Sequence, residues 1–300
     1  MTAEQKWLTP DHAGFYRGGH PSVYWYNDRV MERRKLYPNW ESLRDENKAL
    51  TAVAHRVAHD GYYKIEDFWN TDLLDQLRDQ TLQLMEQNHP DKIKHPQEGR
   101  HTQVYMPLLN APVANQLATD PRILAIATAF LNCFPALGTS NLRLSTAEKS
   151  ESKGTCMFHR DFNSPVKFIK FFTYLNDVTM ENGPFTYVEA SNREMPVQPH
   201  WSTHHRWPDE TIESIYGKDR IKNITANYGD LLIATTVGFH KGLQLQKGSR
   251  LMLTLNYLVH PELGGQGIYG PPEQPHQVSM ETFKSTKHPE SGLYDFMTKV

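Results

Sequence analysis

Three hundred residues, 38% hydrophobic and 11% aromatic, are enough for one large domain with a sizeable core or for two ordinary ones. A formal net charge of −2 gives no basic footprint for nucleic acid, and no apolar run approaches the length of a membrane span. The N-terminal MTAEQKWLTPDHAG lacks the regions of a signal peptide, and Cys133 and Cys156 have no metal-site spacing, so reduced thiols in a cytoplasmic protein are expected.

Residues 1–54 are rich in aromatic and basic side chains, as in GFYRGGHPSVYWYNDRVMERRKLYPNW. They read as an extension that packs through its aromatics, with a helix around Arg29–Leu36; an interface or a lid is the other reading. Gly61 marks a turn and Tyr62–Ile65 alternates as a strand. Leu74, Leu77, Thr81 and Met85 then recur at helical spacing behind an N-cap at Asn70 or Thr71. A second helix fits DPRILAIATAFLNC, with Pro121 in its first turn. Beyond Pro135 the texture changes to short β-branched or aromatic runs separated by Gly, Asn and Pro. Strands are expected at about 139–145, 168–175, 185–188, 230–234 and 251–259, with a tight Asn182-Gly183 turn between two of them. Helices followed by many short strands predict an α+β domain, mainly β, whose sheets form a sandwich or barrel. No repeat or linker divides the chain.

The chemistry begins at TCMFHRDFNS, residues 155–164. As a kinase loop, H-R-D needs an Asn where this chain has Val166, and no DFG follows. The G-x-G-x-x-G of Gly265, Gly267 and Gly270 runs into prolines and cannot open a helix onto phosphates. As a metal motif, H-x-[DE] also occurs at His89/Asp91, His260/Glu262 and His288/Glu290, each with Pro in the middle, so the pattern alone says little. On a strand, however, His159 and Asp161 share one face and can converge on one ion, with Arg160 pointing away. His240, after the strand at 230–234 and the flexible Gly238, is the candidate third ligand of a two-His, one-carboxylate set. Arg250 follows on the next strand, sharing a face with Met252, Thr254 and Asn256, and its planar fork suits a small carboxylate.

Taken in order, FHRDFNSPVKFIKFFTYLNDVTMENGPFTYVEASN and YGDLLIATTVGFHKGLQLQKGSRLMLTLNY resemble the phytanoyl-CoA dioxygenase family of iron(II)/2-oxoglutarate oxygenases, over about Gly61 to Val259. The resemblance implies a double-stranded β-helix, a jelly-roll or cupin-like barrel with helices packed on one sheet. It divides the chain into an extension 1–54, an oxygenase domain 55–262 and a C-terminal extension 263–300. It implies that His159, Asp161 and His240 bind Fe(II), and that Arg250 holds the distal carboxylate of 2-oxoglutarate. Gln103, Asn141 and Phe172 occupy matching cosubstrate positions. The cofactors are then Fe(II), 2-oxoglutarate and O2, and the activity is oxidation, by default hydroxylation, of an unactivated C–H bond of a small-molecule metabolite, releasing succinate and CO2. Oxidative cyclisation or desaturation uses the same set, whereas the retained Asp161 argues against halogenation. Two further readings are a non-catalytic cupin-like binding protein and another cupin-like metalloenzyme that has no need of Arg250.

Lys170 and Tyr174 share a strand face with Phe172; either that face lines the barrel and meets substrate, or Lys170 is an exposed sheet lysine. Arg206 belongs to an insertion, 198–222, that is either a substrate-reading lid or a solvated loop. The family's Trp near Phe172 is absent, and the resemblance does not reach the chain's ends, so it leaves the substrate open. A monomer or homodimer without nucleic-acid or membrane partners is expected.

Overall fold

The computed structural model describes residues 22–95, 101–105, 107–149, 154–161, 167–193 and 206–259. The G-x-G-x-x-G at 265–270, both H-P-E pairs, the C-terminal extension and the first part of the insertion lie outside them.

The arm forms α1 (Ser22–Leu36), α2 (Trp40–Asp45) and α3 (Lys48–Asp60). The basic last turn of α1, Arg33 to Lys35, complements its dipole. Asn47 caps α3 by accepting from the Leu50 N–H, and Gly61 ends it at φ +93°, a left-handed geometry that costs glycine little. After β1 (Tyr62–Ile65) comes α4 (Thr71–Gln87), capped by Asn70 through the Asp72 N–H, with Leu74, Leu77 and Thr81 buried as their spacing predicts. Two short strands, β2 (Ile93–Lys94) and β3 (His101–Val104), precede α5 (Pro107–Asn110), α6 (Pro112–Ala118) and α7 (Pro121–Leu131). Pro121 sits in the first turn of α7 behind the Asp120 cap.

The remaining elements are β4 (Ala136–Thr146), β5 (Ile169–Tyr174), β6 (Phe185–Val188), α8 (Asp209–Tyr216), β7 (Ile221–Ile224), β8 (Leu231–Ala234), β9 (His240–Gly242) and β10 (Ser249–Leu258). They build a seven-stranded sheet in the order β1-β8-β5-β10-β4-β3-β2 and a three-stranded sheet, β7-β6-β9. Every pairing is antiparallel.

Alternation along the central strands sorts the two faces. Leu251, Leu253, Leu255 and Tyr257 of β10, with Ile169 and Phe171 of β5, join the core under the helices. The opposite face turns to the small sheet, where Phe172, Tyr174, Leu232 and Ala234 pack against Phe185, Tyr187 and Ile224. The result is three layers: helices, large sheet, small sheet. The arm is part of the first, because Tyr26, Val30 and Trp40 are buried in it. Arg33 donates to the carbonyls of Phe134 and Pro135 at 2.6 and 2.9 Å.

Both cysteines are free; burial pushes the Cys133 thiol up to about 12. Among the described residues no helix is long and apolar enough to cross a membrane. The Asn182-Gly183 turn does lie between two strands, but these strands, β5 and β6, belong to different sheets. Gly183 has φ +71°, and a Cβ there would lie 2.2 Å from the Leu243 carbonyl oxygen. The turn thus carries the chain from one layer to the other instead of closing a hairpin.

Candidate metal centre

His159 and His240 meet through their main chains. Each N–H donates to the other's carbonyl at 3.0 Å, which ties the HRD segment to the start of β9. The Asp161 N–H donates to the Thr236 carbonyl at 2.9 Å. These anchors bring one nitrogen from each imidazole and a carboxylate oxygen to within 4.8 Å of one another. Asp161 Oδ1 is 3.8 Å from His159 Nε2, and Oδ2 is 3.4 Å from His240 Nε2.

The tautomers follow from the surroundings. His159 Nδ1 lies 2.9 Å from the Met157 carbonyl and His240 Nδ1 lies 3.0 Å from that of Gly238. A carbonyl only accepts, so each Nδ1 carries its hydrogen and each Nε2 keeps a lone pair for the shared point. Burial, helped by neighbouring His240 and Arg206, pushes His159 down to about 3, so the ring is neutral. Burial alone would raise Asp161, but Lys170 and the two imidazoles outweigh it and hold the carboxyl well below its usual range. The neutral His159 imidazole, the His240 ring and an ionised carboxylate, all buried or nearly so, form the donor set that suits a divalent transition metal with open positions. Of the other H-x-[DE] pairs, His89 and Asp91 are described; they are exposed and 3.7 Å apart.

Gly238 is the tightest point of this frame. A Cβ there would lie 2.0 Å from the Tyr187 hydroxyl and 2.7 Å from Ser191 Oγ, so only glycine lets the chain pass. Tyr187 itself donates to the Thr235 carbonyl, and Ser191 Oγ accepts from the Phe239 N–H. Arg160 points away from its neighbours as expected, yet it is not idle. It is buried, donates to the Ser191 carbonyl at 2.7 Å and stacks over Phe239 at 4.5 Å. Burial lowers it to about 10, still a cation at neutral pH.

Lys170 faces the interior and is no exposed sheet lysine: its amine donates to Asp161 Oδ2 at 2.7 Å. Phe172 and Tyr174 share that face, and Phe172 stacks on Phe185, which in turn lies 5.6 Å from the His240 ring. Across the sheet, Phe172, Thr254 and Asn141 stand in one register row, and Gln103 donates to Asn141 Oδ1 at 2.8 Å. Arg250 lies at the start of β10 on the same face, opposite Ser145, and donates to the Gly183 carbonyl. A Cβ at Gly242 would come within 3.3 Å of its guanidinium, so a larger residue at 242 would crowd the fork. Arg206 is half-buried and shares an electrostatic field with Asp161 and His159, beside the Trp207–Phe158 bridge that seats the insertion on the HRD segment. The described part of the insertion is therefore no solvated loop: it contains α8, whose Asp209 grips the buried Lys241 at 2.6 Å.

Three residues carry no sequence signal that singles them out. Arg143 sits between Gln103 and Met252 on the inner face, Lys241 follows a ligand, and Asn256 faces Lys170. Only strand register reveals them.

Solved structures with this fold include the epimerase SnoN in complex with Fe3+, alpha-ketoglutarate (2-oxoglutarate) and nogalamycin RO. It is 18% identical, with 74% of this chain and 86% of that one covered and a TM-score of 0.57. EctD from S. alaskensis with 2-oxoglutarate and 5-hydroxyectoine is 20% identical, with coverage of 71% and 77% and a TM-score of 0.55. HygX from Streptomyces hygroscopicus with nickel, 2-oxoglutarate and hygromycin B is 18% identical, with coverage of 69% and 86% and a TM-score of 0.52. No curated protein sequence matches. A family model does, over residues 57–246, well over half of the chain: this protein belongs to the phytanoyl-CoA dioxygenase (PhyH) family of iron- and 2-oxoglutarate-dependent enzymes.

Proposed function

We propose that the protein is an Fe(II)/2-oxoglutarate-dependent dioxygenase that hydroxylates an unactivated C–H bond of a small-molecule metabolite, releasing succinate and CO2. The observation that carries this is the convergence of the His159, Asp161 and His240 donor atoms within 4.8 Å, opposite the large-sheet face that reaches Asp161 through Lys170 and also bears Arg250. In this reading the fold is a double-stranded β-helix over 55–262, with the two sheets as its walls and 1–54 and 263–300 as extensions.

His159, Asp161 and His240 hold the iron, with both Nδ1 hydrogens committed to carbonyls so that the rings cannot turn. Bound iron with 2-oxoglutarate and O2 supplies the oxidising power for C–H cleavage, which no side chain provides. Arg250 grips the distal carboxylate of the cosubstrate through the part of its fork not given to Gly183. Gln103, Asn141 and Phe172 line the space between Arg250 and the metal, and Lys170, Tyr174 and Arg206 border the substrate. Phe172, Phe185 and Tyr187 exclude water from that space. An intact donor set and a retained Arg250 speak against a non-catalytic binder. The SnoN likeness keeps a second outcome of the same chemistry in view, in which oxidation ends in cyclisation, desaturation or inversion at carbon.

Anaerobic titration with Fe(II) and 2-oxoglutarate tests the reading: a weak visible charge-transfer band is expected, and properly metallated protein without it would exclude the oxygenase. His159→Ala should abolish iron binding. Arg250→Ala should weaken 2-oxoglutarate by about tenfold or more, the worth of a charge-assisted pair. An unchanged 2-oxoglutarate affinity would remove Arg250 from its role. A metabolite screen scored by succinate release then identifies the substrate.

A further inference from the structure

The inner face of the large sheet runs along β10 from Arg250 to Asn256. In register it is the β10 partner of Lys170, so the two side chains leave neighbouring strands toward the same side, about 5 Å apart at Cβ. From there Lys170 reaches Asp161. On the other flank of β10 a bulge falls between Leu255 and Tyr257 and brings Gly138 beside Asn256. A Cβ at Gly138 would lie 3.4 Å from the Asn256 amide nitrogen. Past Asn256 the face closes in an apolar cluster of Phe168, Val237 and Leu258.

Asn256 is 1% exposed, yet neither its amide nitrogen nor its amide oxygen has a hydrogen-bond partner. Among the described residues it is the only side-chain carboxamide left without a partner at both its nitrogen and its oxygen. Burying a carboxamide unsatisfied costs stability that a leucine of similar size would not. Such a group beside Lys170, the lysine that reaches Asp161, is explained if its partner arrives with a ligand.

We propose that Asn256 is a substrate-binding residue: its carboxamide takes a substrate group that both donates and accepts a hydrogen bond, an amide or a hydroxyl, on the Lys170 side of the metal. This rests on the iron/2-oxoglutarate reading above. The cosubstrate is the wrong partner on geometric grounds. Arg250 and Asn256 are six residues apart on one strand, about 20 Å, and a five-carbon diacid gripped at Arg250 spans less than half of that.

The test uses the full chain with Asn256→Leu and Asn256→Ala, the second in case leucine overfills the site. Absence of the Fe(II)/2-oxoglutarate band from the wild type would overturn the oxygenase reading and this proposal together. With the band present, both variants should bind 2-oxoglutarate within about twofold of the wild type, and Asn256→Leu should melt a few degrees higher. N-methylacetamide and propane-1,2-diol, titrated as probes into zinc-substituted, 2-oxoglutarate-loaded protein by saturation-transfer NMR, should bind the wild type and weaken about tenfold or more in the variants. Three results would each overturn the role of Asn256 while leaving the oxygenase standing. They are an Asn256→Leu that folds but melts below the wild type, a fall in 2-oxoglutarate affinity, and probes that bind wild type and variants alike or not at all.

Discussion

Lys170 sets the charge of the centre. Its amine lies 2.7 Å from the same Asp161 oxygen that approaches His240 Nε2, so a cation stands beside the position a divalent ion would take. At the effective dielectric of a partly buried site, a unit charge some 8 Å from one carboxylate is worth about 2 kcal/mol. Lys170→Met should therefore bind Mn(II) at least as tightly as the wild type, by electron paramagnetic resonance of the free ion. The same variant should bind 2-oxoglutarate several-fold more weakly. His159 makes a second residue-scale prediction, for the metal-free protein. Its folded-state pKa is lowered to about 3, from 6.5, by burial. The unfolded chain thus takes up a proton near pH 6.5 that the folded chain refuses. The stability this ring contributes is complete above pH 6.5 and is lost, at up to about 1.4 kcal/mol per pH unit, as pH falls toward 3. Denaturation curves between pH 7 and 5 should show that slope, and His159→Gln should flatten it.

At the scale of elements, the metal is presented by two short segments locked to each other and to the Gly238 turn. Gly238→Ala places a methyl group against Tyr187 and Ser191, both fixed by their own hydrogen bonds. It should cost about 2 kcal/mol or more. It should also weaken metal binding, because the Gly238 carbonyl that orients His240 must move. A variant that loses stability but keeps its metal affinity would show that the turn does not orient the ligand. The same elements explain what the sequence could disclose. His159, Asp161, His240 and Arg250 were legible because an H-x-D pair, a distant His and an Arg ten residues further on stand in a fixed motif order. The small-residue EASN was legible only as a pattern. Its reason is local: Ala190 takes φ +59°, and Ser191 holds both Phe239 and Arg160. In the G-D pair, Asp230 is a structural anchor, accepting from the N–H groups of Asp67 and Asn227 and pairing with Lys64. Asn256 and Lys241 were hidden, since an asparagine in an alternating strand looks the same whether it is bonded or orphaned.

Across the whole molecule, the large sheet separates two jobs. Its outer face carries the helical layer, including the aromatic arm, and its inner face carries the site. Trp40 belongs wholly to the first: it is 6% exposed and packs with the helices. Phe185 belongs to the second, 5.1 Å from Phe172 and 5.6 Å from His240 between ring centroids. Truncating either aromatic to alanine should cost about 3–5 kcal/mol in denaturant unfolding. Only Phe185→Ala should also weaken Mn(II) and 2-oxoglutarate in the protein that remains folded, because the cavity it leaves loosens the imidazole. Trp40→Ala should leave both affinities within about twofold, and the stability losses should add in the double variant, as for sites with no shared partners. A tenfold loss of metal affinity in Trp40→Ala would mean instead that the helical layer presses the sheet into its binding shape. The arm would then support the centre through β5 and β10, whose opposite faces touch both layers.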